Sequence, residues 1–186
     1  IGVRLVGSEM CIRDRYYIIS LIGGLYMKLS TGWEQAIYVL LILNQLPRQS
    51  VMTSTALSKR LKVSDSYLKK IVKALVKENL VYSTTGKNGG FTLRKKLKDI
   101  TFYDVFLAIE GRGNIFSSQH LLTNFLGEKE GHKAQQCNIS IALNHIEHTL
   151  ISTLSNINLD DIYQDIIKLY NLEDIIQWIR LNSKTL

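Results

Sequence analysis

Residues 54–78 contain two short amphipathic segments separated by only three residues, and this spacing restricts the fold more than any other feature of the chain. Apolar residues recur at helical spacing in Ser54 to Leu61 and again in Asp65 to about Glu78, which predicts a helix over each segment. The inward residues are Ala56, Leu57 and Leu61, then Leu68, Ile71, Val72 and Leu75. Thr53 and Ser64 stand at N-cap positions. Two short helices joined by a three-residue turn have the proportions of a helix-turn-helix.

The outward face of the second of these helices carries an unusual set of side chains. They are Ser66, Tyr67, Lys69, Lys70, Lys73 and Lys77. Its only acidic residues, Asp65 and Glu78, stand at the two ends. A merely solvated, lysine-rich surface would be expected to mix charge signs. A face that is almost entirely positive suits a helix lying beside phosphates.

The stretch TTGKNGGFTLRKK, residues 84–96, follows this helix and allows two interpretations. A phosphate-binding loop needs glycines that open a helix and a GxxxxGK[ST] or GxGxxG pattern, which the sequence lacks. Here β-forming residues, LVYST and FTLRK, flank the connection Gly86–Gly90, which predicts a hairpin with Phe91 and Leu93 inward. With an amphipathic helix predicted over Ser30 to Asn44, the order is helix, helix, helix, hairpin. The fold class is therefore mainly α, a winged helix-turn-helix with a two-stranded wing.

Net positive charge is concentrated in this part of the chain. The 186 residues carry a net charge of +7. Met27 to Lys98 contains 14 Lys and Arg against 3 Asp and Glu, whereas Asp99 to Leu186 contains 6 against 11. Such asymmetry indicates a polyanionic partner for the basic segment. Nucleic acid is the partner that the predicted fold favours.

From Met27 to about Tyr163 the chain resembles the Rrf-two family of bacterial winged-helix transcription regulators, whose members include the IscR, NsrR and CymR types. The resemblance rests on MKLSTGWEQAIYVLLIL, LSKRLKVSDSYLKKIVKALVKENLV, GKNGGFTL, ITFYDVFLAIEG and LDDIY, in the order of the family. The most specific part is the combination of S-x-S-Y-L at 64–68 with G-x-x-G-G-[FY]-x-L at 86–93.

The resemblance implies that double-stranded DNA is the partner and that the third helix enters its major groove. By the same resemblance, Gly86 to Gly90 form a wing tip in the adjacent minor groove. Many relatives carry an arginine, suited to a narrow minor groove, where this chain has Thr85. The candidate DNA-binding residues are Thr53, Ser54, Ser64, Ser66, Tyr67, Lys69, Lys70, Lys73, Thr85, Gly86, Lys87, Asn88, Gly89 and Gly90.

Cysteine usage sets this chain apart from relatives that bind an iron–sulfur cluster. Those relatives place three cysteines in the loop before the long helix, because thiolates are the usual cluster ligands. The corresponding segment here has only Cys137, so no cofactor is expected, although His120 or His132 would be alternative ligands. Cys137 is interpreted as a helix-start residue and alternatively as a sensor. His145 and His148 have a spacing that metals use, but are interpreted as surface or interface residues, and no metal site is predicted.

The segment Asn138 to Leu154 has an apolar stripe at helical spacing. Its proposed dimerisation residues are Ile139, Leu143, Ile146, Leu150 and Leu154. A stripe this apolar is expected to be covered, and the resemblance implies pairing with a second subunit. Asn158 with Asp161, and Asn171 with Asp174, predict the starts of two further helices. Ile175 and Trp178 are expected to return to the core or to the dimer face.

The first 26 residues are interpreted as a non-native extension. VGSEMCIRDR resembles translated sequencing-adapter read-through, and MKLS at Met27 looks like a natural start. Arg13 and Arg15 before an apolar run imitate a signal peptide, but no cleavage pattern follows and eleven residues cannot span a bilayer. We therefore expect no membrane association and a cytoplasmic location. The predicted division is 1–26 extension, 27–110 winged helix-turn-helix, 111–136 effector or sensor loop, and 137–186 dimerisation and C-terminal helices.

These observations predict a homodimeric repressor that binds a pseudo-palindromic operator, with an effector that the sequence does not identify. The alternative is a winged helix used for protein contacts or for non-specific architectural binding of DNA. An enzyme is disfavoured, because no nucleophile–base pair, carboxylate dyad or phosphate loop emerges from the sequence.

Overall fold

A computed structural model describes residues 30–113, 115, 121, 122, 125 and 137–185 of the chain. The predictions made for residues 1–26, for His120 and His132, and for most of the 111–136 segment lie outside the described residues. The helices are α1 (Thr31–Asn44), α2 (Ser54–Leu61), α3 (Asp65–Lys77), α4 (Phe102–Glu110), α5 (Asn138–Ser155), α6 (Leu159–Leu169) and α7 (Glu173–Asn182). The strands are β1 (Ser50–Val51), β2 (Val81–Thr84), β3 (Gly90–Leu93) and β4 (Lys184–Thr185).

Helix α1 forms the centre of the core. Ser30 occupies its N-cap position, although the Ser30 hydroxyl makes no capping hydrogen bond. Ala36, Val39 and Leu40 are fully buried and pack with the inner faces of α2 and α3. Burial of this apolar face supplies most of the driving force for assembling the three helices, since hydrophobic burial dominates folding.

Helices α2 and α3 form the predicted helix-turn-helix. The Thr53 hydroxyl accepts a hydrogen bond from the Ala56 N–H at 3.2 Å and so caps α2 as the sequence predicted. Lys62 ends α2 in the left-handed region, with φ of 54° and ψ of 43°. The Val63 N–H donates to the Ser58 carbonyl at 3.0 Å, which closes the turn between the helices. The predicted inward residues of α3, Leu68, Ile71, Val72 and Leu75, are all buried.

The wing is an antiparallel hairpin in which Val81 pairs with Leu93 and Thr84 pairs with Gly90. Phe91 and Leu93 pack against the core, as predicted. The sequence placed the connection at Gly86–Gly90, but Gly90 belongs to strand β3 and the connection is Thr85 to Gly89.

Helix α4 begins with a capping box. The Thr101 hydroxyl accepts from the Asp104 N–H at 3.1 Å, and the Asp104 carboxylate accepts from the Thr101 N–H at 2.8 Å. The rings of Trp33 and Phe102 pack edge to face with their centroids 5.1 Å apart, and this contact fixes α4 against α1. The backbone N–H of Ser30 donates to Glu110 Oε1 at 3.1 Å and joins the other end of α4 to the start of α1.

Helices α6 and α7 pack against the core that the preceding helices form. Asn158 caps α6 through the Asp161 N–H at 2.9 Å, and Leu159 is fully buried. Ile179 of α7 is also buried, while Ile175 and Trp178 pack against the core as predicted. Strand β4 then pairs antiparallel with β1, and a bridge from Met52 to Phe91 links β1 to the wing. The end of the chain is thereby attached to the base of the wing.

Candidate nucleic-acid interface

Helix α3 presents a cationic face opposite its buried stripe. Lys69, Lys70, Lys73 and Lys77 are all exposed. Lys69 is partly neutralised, because its ammonium lies 2.7 Å from the Asp65 carboxylate one turn earlier. Among the described residues, Lys70 and Lys73 have no carboxylate within ion-pair distance. These two side chains therefore carry the most accessible positive charge on the helix.

The first turn of α3 exposes two hydroxyl groups. The hydroxyl oxygens of Ser64 and Ser66 lie 2.9 Å apart and share a hydrogen bond, so Ser64 occupies the N-cap position without capping the helix. Asp65 beside them is fixed in its charged form. A hydrogen bond from Lys69 holds the pKa of the Asp65 carboxyl below its usual value, assisted by the hydroxyls of Ser54 and Ser58. A negative charge at the start of a helix is also favoured by the helix dipole.

Tyr67 lies between the cationic face and helix α1. Its side chain is exposed at the protein surface, but its hydroxyl reaches Gly32, where an added Cβ would lie 2.9 Å from the Tyr67 oxygen. The absence of a side chain at Gly32 makes room for the phenol. The sequence predicted only an outward-facing Tyr67, whereas this ring also fixes α3 relative to α1.

Thr53 and Ser54, two of the predicted DNA-binding residues, make contacts within the helix-turn-helix. The Thr53 hydroxyl is used to cap α2. Ser54 is buried, and its hydroxyl bonds to Asp65. Thr53 therefore stabilises the start of α2, and Ser54 links α2 to α3. The burial of Ser54 leaves its side chain little accessible to DNA, and DNA contact by Thr53 stays a prediction.

Each of the three wing glycines occupies a position that a larger residue would not fit, for a different physical reason. Gly86 has φ of 104°, a backbone conformation that residues with a Cβ atom rarely adopt. A Cβ on Gly89 would lie 2.3 Å from the Thr84 carbonyl oxygen, and a Cβ on Gly90 would lie 2.8 Å from the Met52 carbonyl oxygen. Gly90 is buried at the base of the wing, so the predicted tip that includes it is corrected to Thr85 through Gly89.

The wing tip carries exposed polar and positively charged side chains. Thr85, Lys87 and Asn88 are exposed. The Lys184 ammonium donates to the Lys87 carbonyl oxygen at 3.1 Å, which brings a cation from the end of the chain to the tip. The sequence analysis missed Lys184, because it is 97 residues away and the pairing of β4 with β1 has no local signal.

Arg94 is a second residue that the sequence analysis did not assign to this surface. Its guanidinium lies 4.7 Å from the centre of the Tyr82 ring and donates to Asn79 Oδ1 at 2.7 Å. Arg94 is exposed, as expected from the alternation in FTLRK that turns Phe91 and Leu93 inward. Stacking on an aromatic ring holds a guanidinium in one orientation.

The predicted sensor residue, Cys137, is the N-cap of α5, as expected of a helix-start residue. Hydrogen bonds from the backbone N–H of Ser140 and, more weakly, of Ile139 lower the pKa of its thiol. His145 and His148 are exposed. Within the described part of the chain, no three His, Cys, Asp or Glu side chains are grouped as metal ligands. A donor set with one thiol differs from the three-cysteine set of cluster-binding relatives.

An ion pair connects the 111–136 segment to helix α3. Arg112 Nη2 lies 2.5 Å from the carboxylate of Glu78, the C-cap residue of α3. This hydrogen bond lowers the pKa of Glu78 and raises that of Arg112. The beginning of the predicted sensor loop is thus held at the end of the cationic helix.

Helix α5 leaves much of its apolar stripe uncovered. Ile139 and Ile146 are 68% and 61% exposed. Ile141 is also exposed but lies on the opposite side of the helix, outside the stripe. Leu143 and Leu150 are half-buried. Leu154 differs from the prediction, because it is buried within its own chain and anchors the end of α5 there. The accessible stripe therefore ends before Leu154.

Comparisons with known proteins give consistent results. The model of the Rrf2 family, described as an iron-dependent transcriptional regulator, matches residues 29–165. A Lactococcus lactis protein named as the HTH-type transcriptional regulator YffB is 60% identical over 153 residues, which are 82% of this chain and 97% of the relative. YwgB of Bacillus subtilis, also named as an HTH-type transcriptional regulator, is 42% identical over 82% of this chain and 95% of the relative.

A solved structure supports the fold. CymR of B. subtilis, described as the global cysteine regulator of that organism, aligns with a TM-score of 0.52 and 20% identity over 74% of this chain and 96% of CymR. Among the residues that the structure describes, no helix is long and apolar enough to cross a membrane.

Proposed function

Because the chain belongs to the Rrf2 family of transcription regulators, which are not enzymes, we propose that it is a homodimeric repressor binding a specific DNA operator. The observation that carries this proposal is the exposed cationic face of α3 beside the wing. It combines the ammonium groups of Lys70 and Lys73 with the exposed Lys87 and with Lys184, whose ammonium donates to the Lys87 carbonyl oxygen. A regulator of this kind acts on the chromosome, which places it in the bacterial cytoplasm.

Two groups of residues have different tasks in this proposal. Lys69, Lys70, Lys73 and Lys87 contact phosphates, which supply most of the affinity without distinguishing sequences. Ser64, Ser66 and the exposed edge of Tyr67 lie at the start of α3, the part of a recognition helix that contacts base edges. The wing tip from Thr85 to Gly89 follows the backbone into the neighbouring minor groove. Thr85 provides no charge there, and Lys87 with Lys184 provides it instead.

Dimerisation is supported by the uncovered stripe of α5. Ile139 and Ile146 lie on one helix face and are both more than half exposed. Monomeric proteins seldom expose such apolar side chains together on one face. Pairing of two α5 helices about a two-fold axis covers them. It also sets two α3 helices roughly 34 Å apart, one turn of DNA, so the operator is expected to be a pseudo-palindrome.

Regulation in this proposal does not use an iron–sulfur cluster held by three cysteines. The support is the sequence, in which Cys137 is the only cysteine after Cys11. Protein purified without oxygen should be colourless and free of bound iron and sulfide, and it should still bind DNA. Visible absorption with stoichiometric iron and sulfide would contradict this part of the proposal.

Selection from a pool of random DNA duplexes tests the recognition itself. The expected result is one enriched motif with two-fold symmetry, bound at least about a thousandfold more tightly than unrelated duplex at physiological salt. Light scattering on the same protein should give the mass of a dimer. Equal affinity for all sequences would support the architectural alternative, and a monomer at micromolar concentration would refute the dimer.

A further inference from the structure

A cavity of about 250 Å³ lies between the helix-turn-helix and the C-terminal helices. Its walls are mainly aliphatic. Leu41 and Ile42 come from α1, Leu61 from α2, Ile166 from α6 and Ile175 from α7. Pockets that bind small molecules have this composition, in which apolar walls supply affinity and a few polar groups fix orientation.

Two of the polar side chains that line the cavity are hydrogen-bonded to each other. The Gln45 side-chain amide donates a hydrogen bond to the Tyr163 hydroxyl across the space between α1 and α6. This hydrogen bond joins two of the neutral polar side chains in the lining. The polar group that can exchange its partner is Arg60, at the end of α2.

The Arg60 guanidinium is held in one orientation by an aromatic ring, and its ion-pair partner is exposed to solvent. Its guanidinium lies 5.4 Å from the centre of the Trp178 ring, which fixes the plane of the group. Its ion pair is with Asp174, at 2.6 Å, and the Asp174 side chain is 84% exposed. Ion pairs with such an exposed carboxylate contribute little, because water and salt screen them. A ligand carboxylate with an apolar body would exchange for Asp174 and bury its own apolar surface.

We propose that this cavity binds an apolar monocarboxylate, with its hydrocarbon part between α1, α6 and α7 and its carboxylate on Arg60. Charge complementarity determines the class of ligand, since Arg60 is the one cation among the residues that line the cavity. A guanidinium matches a carboxylate through two parallel hydrogen bonds. A medium-chain fatty acid such as octanoate represents this class.

Occupation of the cavity would affect the DNA-binding surface, a step that rests on the function proposed above. Arg60 and Leu61 form the last turn of α2, and only Lys62 to Ser64 separate them from α3. The Arg60–Asp174 pair holds this turn against α7. When a ligand carboxylate replaces Asp174, the end of α2 is released from α7 and the angle between α2 and α3 is less fixed. The expected consequence is weaker operator binding.

Calorimetry with the full-length protein tests the binding site. Octanoate should bind saturably, with one molecule per chain, and octanol, which has the same chain without the charge, should bind at least about tenfold more weakly. Arg60→Gln should lower octanoate affinity by a similar factor and leave octanol unchanged. Arg112→Gln is the matched control, because Arg112 is also a surface arginine in an ion pair but lies outside the cavity.

A second variant protects the test against misfolding of Arg60→Gln. Ile175→Trp should fill the cavity and remove binding of both compounds while the circular dichroism spectrum stays native. Absence of saturable octanoate binding, or equal binding of octanoate by Arg60→Gln, would overturn the proposal. Affinity that falls as the protein concentration rises would assign the cavity to a second copy of the chain and would also overturn it.

The effect on DNA is measured separately, by fluorescence anisotropy on the selected duplex with and without saturating octanoate. The expected result is that octanoate lowers the operator affinity of the wild type and of Arg112→Gln. Arg60→Gln lacks the pair with Asp174, so it should bind the operator more weakly without octanoate and show no further loss when octanoate is added. Octanoate binding with unchanged operator affinity would overturn the coupling alone. Octanoate binding by a protein that binds no DNA would leave the cavity assignment standing and would refute the proposed function.

Discussion

Replacement of Lys73 by alanine tests how α3 contacts DNA. Lys73 lies on the exposed face of α3, and its ammonium has no ion-pair partner among the described residues. If this ammonium neutralises one phosphate, its removal should decrease the slope of log K against log salt by about 0.9 for each subunit. A dimer with two such contacts should lose about 1.8 from its slope.

The slope change has a measurable consequence for affinity. Between 50 and 200 mM salt, a slope difference of about 1.8 changes the ratio of wild-type to variant affinity by roughly twelvefold. The variant should therefore bind clearly more weakly than the wild type at 50 mM, and its deficit should shrink by that factor at 200 mM. Fluorescence anisotropy on the selected duplex at four or five salt concentrations measures both slopes.

Two other lysines make the test specific. Lys168→Ala is the control, because Lys168 is exposed on α6 and paired with Asp165 at 3.1 Å. It removes the same charge from a helix that is not proposed to contact DNA. Lys69→Ala should give an intermediate change, since its ammonium is shared with Asp65. A Lys73→Ala slope equal to that of the wild type or of Lys168→Ala would refute the phosphate contact.

The remaining predictions concern association and stability. Ile146→Glu places a charge at a position of α5 where the side chain is 61% exposed, and this variant should be a monomer in light scattering. Asn144→Glu, on the opposite side of that helix, should leave the dimer intact. A dimeric Ile146→Glu variant would contradict the proposed dimerisation face. Gly90→Ala would place its Cβ 2.8 Å from the Met52 carbonyl oxygen and should lower the free energy of unfolding by about 1–3 kcal/mol. Gly113→Ala, which has open space around it, should change the free energy of unfolding by less than about 0.5 kcal/mol. Equal free energies of unfolding for the two variants would show that the backbone at Met52 moves to admit the added Cβ and would contradict the prediction for Gly90→Ala. Because the pKa of Asp65 is lowered in the folded protein, its ionised form stabilises the fold above the ordinary carboxyl pKa of about 3.9, and this contribution is lost as the pH falls below that value. The stability difference between wild type and Asp65→Asn should accordingly be constant from neutral pH to about pH 5 and shrink below about 3.9, and a difference unchanged at pH 3 would contradict the Lys69 contact.

Local features of the sequence were sufficient for the helix-turn-helix and the wing. Periodicity located α2 and α3 almost to the residue, and the preference of threonine for N-caps identified the Thr53 contact. The outward lysines of α3 followed from the same periodicity, because burying Leu68 and Leu75 leaves only one orientation for the helix. These signals act within a few residues of each other, which is why a linear reading detects them.

Contacts between distant segments were not predictable in this way. Strand β4 pairs with β1 across more than half of the chain, and each strand has two residues, too few for an alternation pattern. Lys184 therefore reached the wing without a sequence signal. Leu154 shares the spacing of the exposed α5 stripe but is buried within its own chain, and the spacing alone does not distinguish the two cases. The cavity beside Arg60 likewise exists only because α6 and α7 return to α1 and α2.

The central claim is that two copies of α3 and its wing bind one specific operator, and hydroxyl-radical footprinting on the selected duplex tests it most directly. The account predicts two protected regions related by two-fold symmetry, with centres about one helical turn apart, roughly 34 Å. Protection should weaken in both regions together when Lys73 is replaced by alanine. A single protected region, or uniform protection along the duplex, would contradict the account.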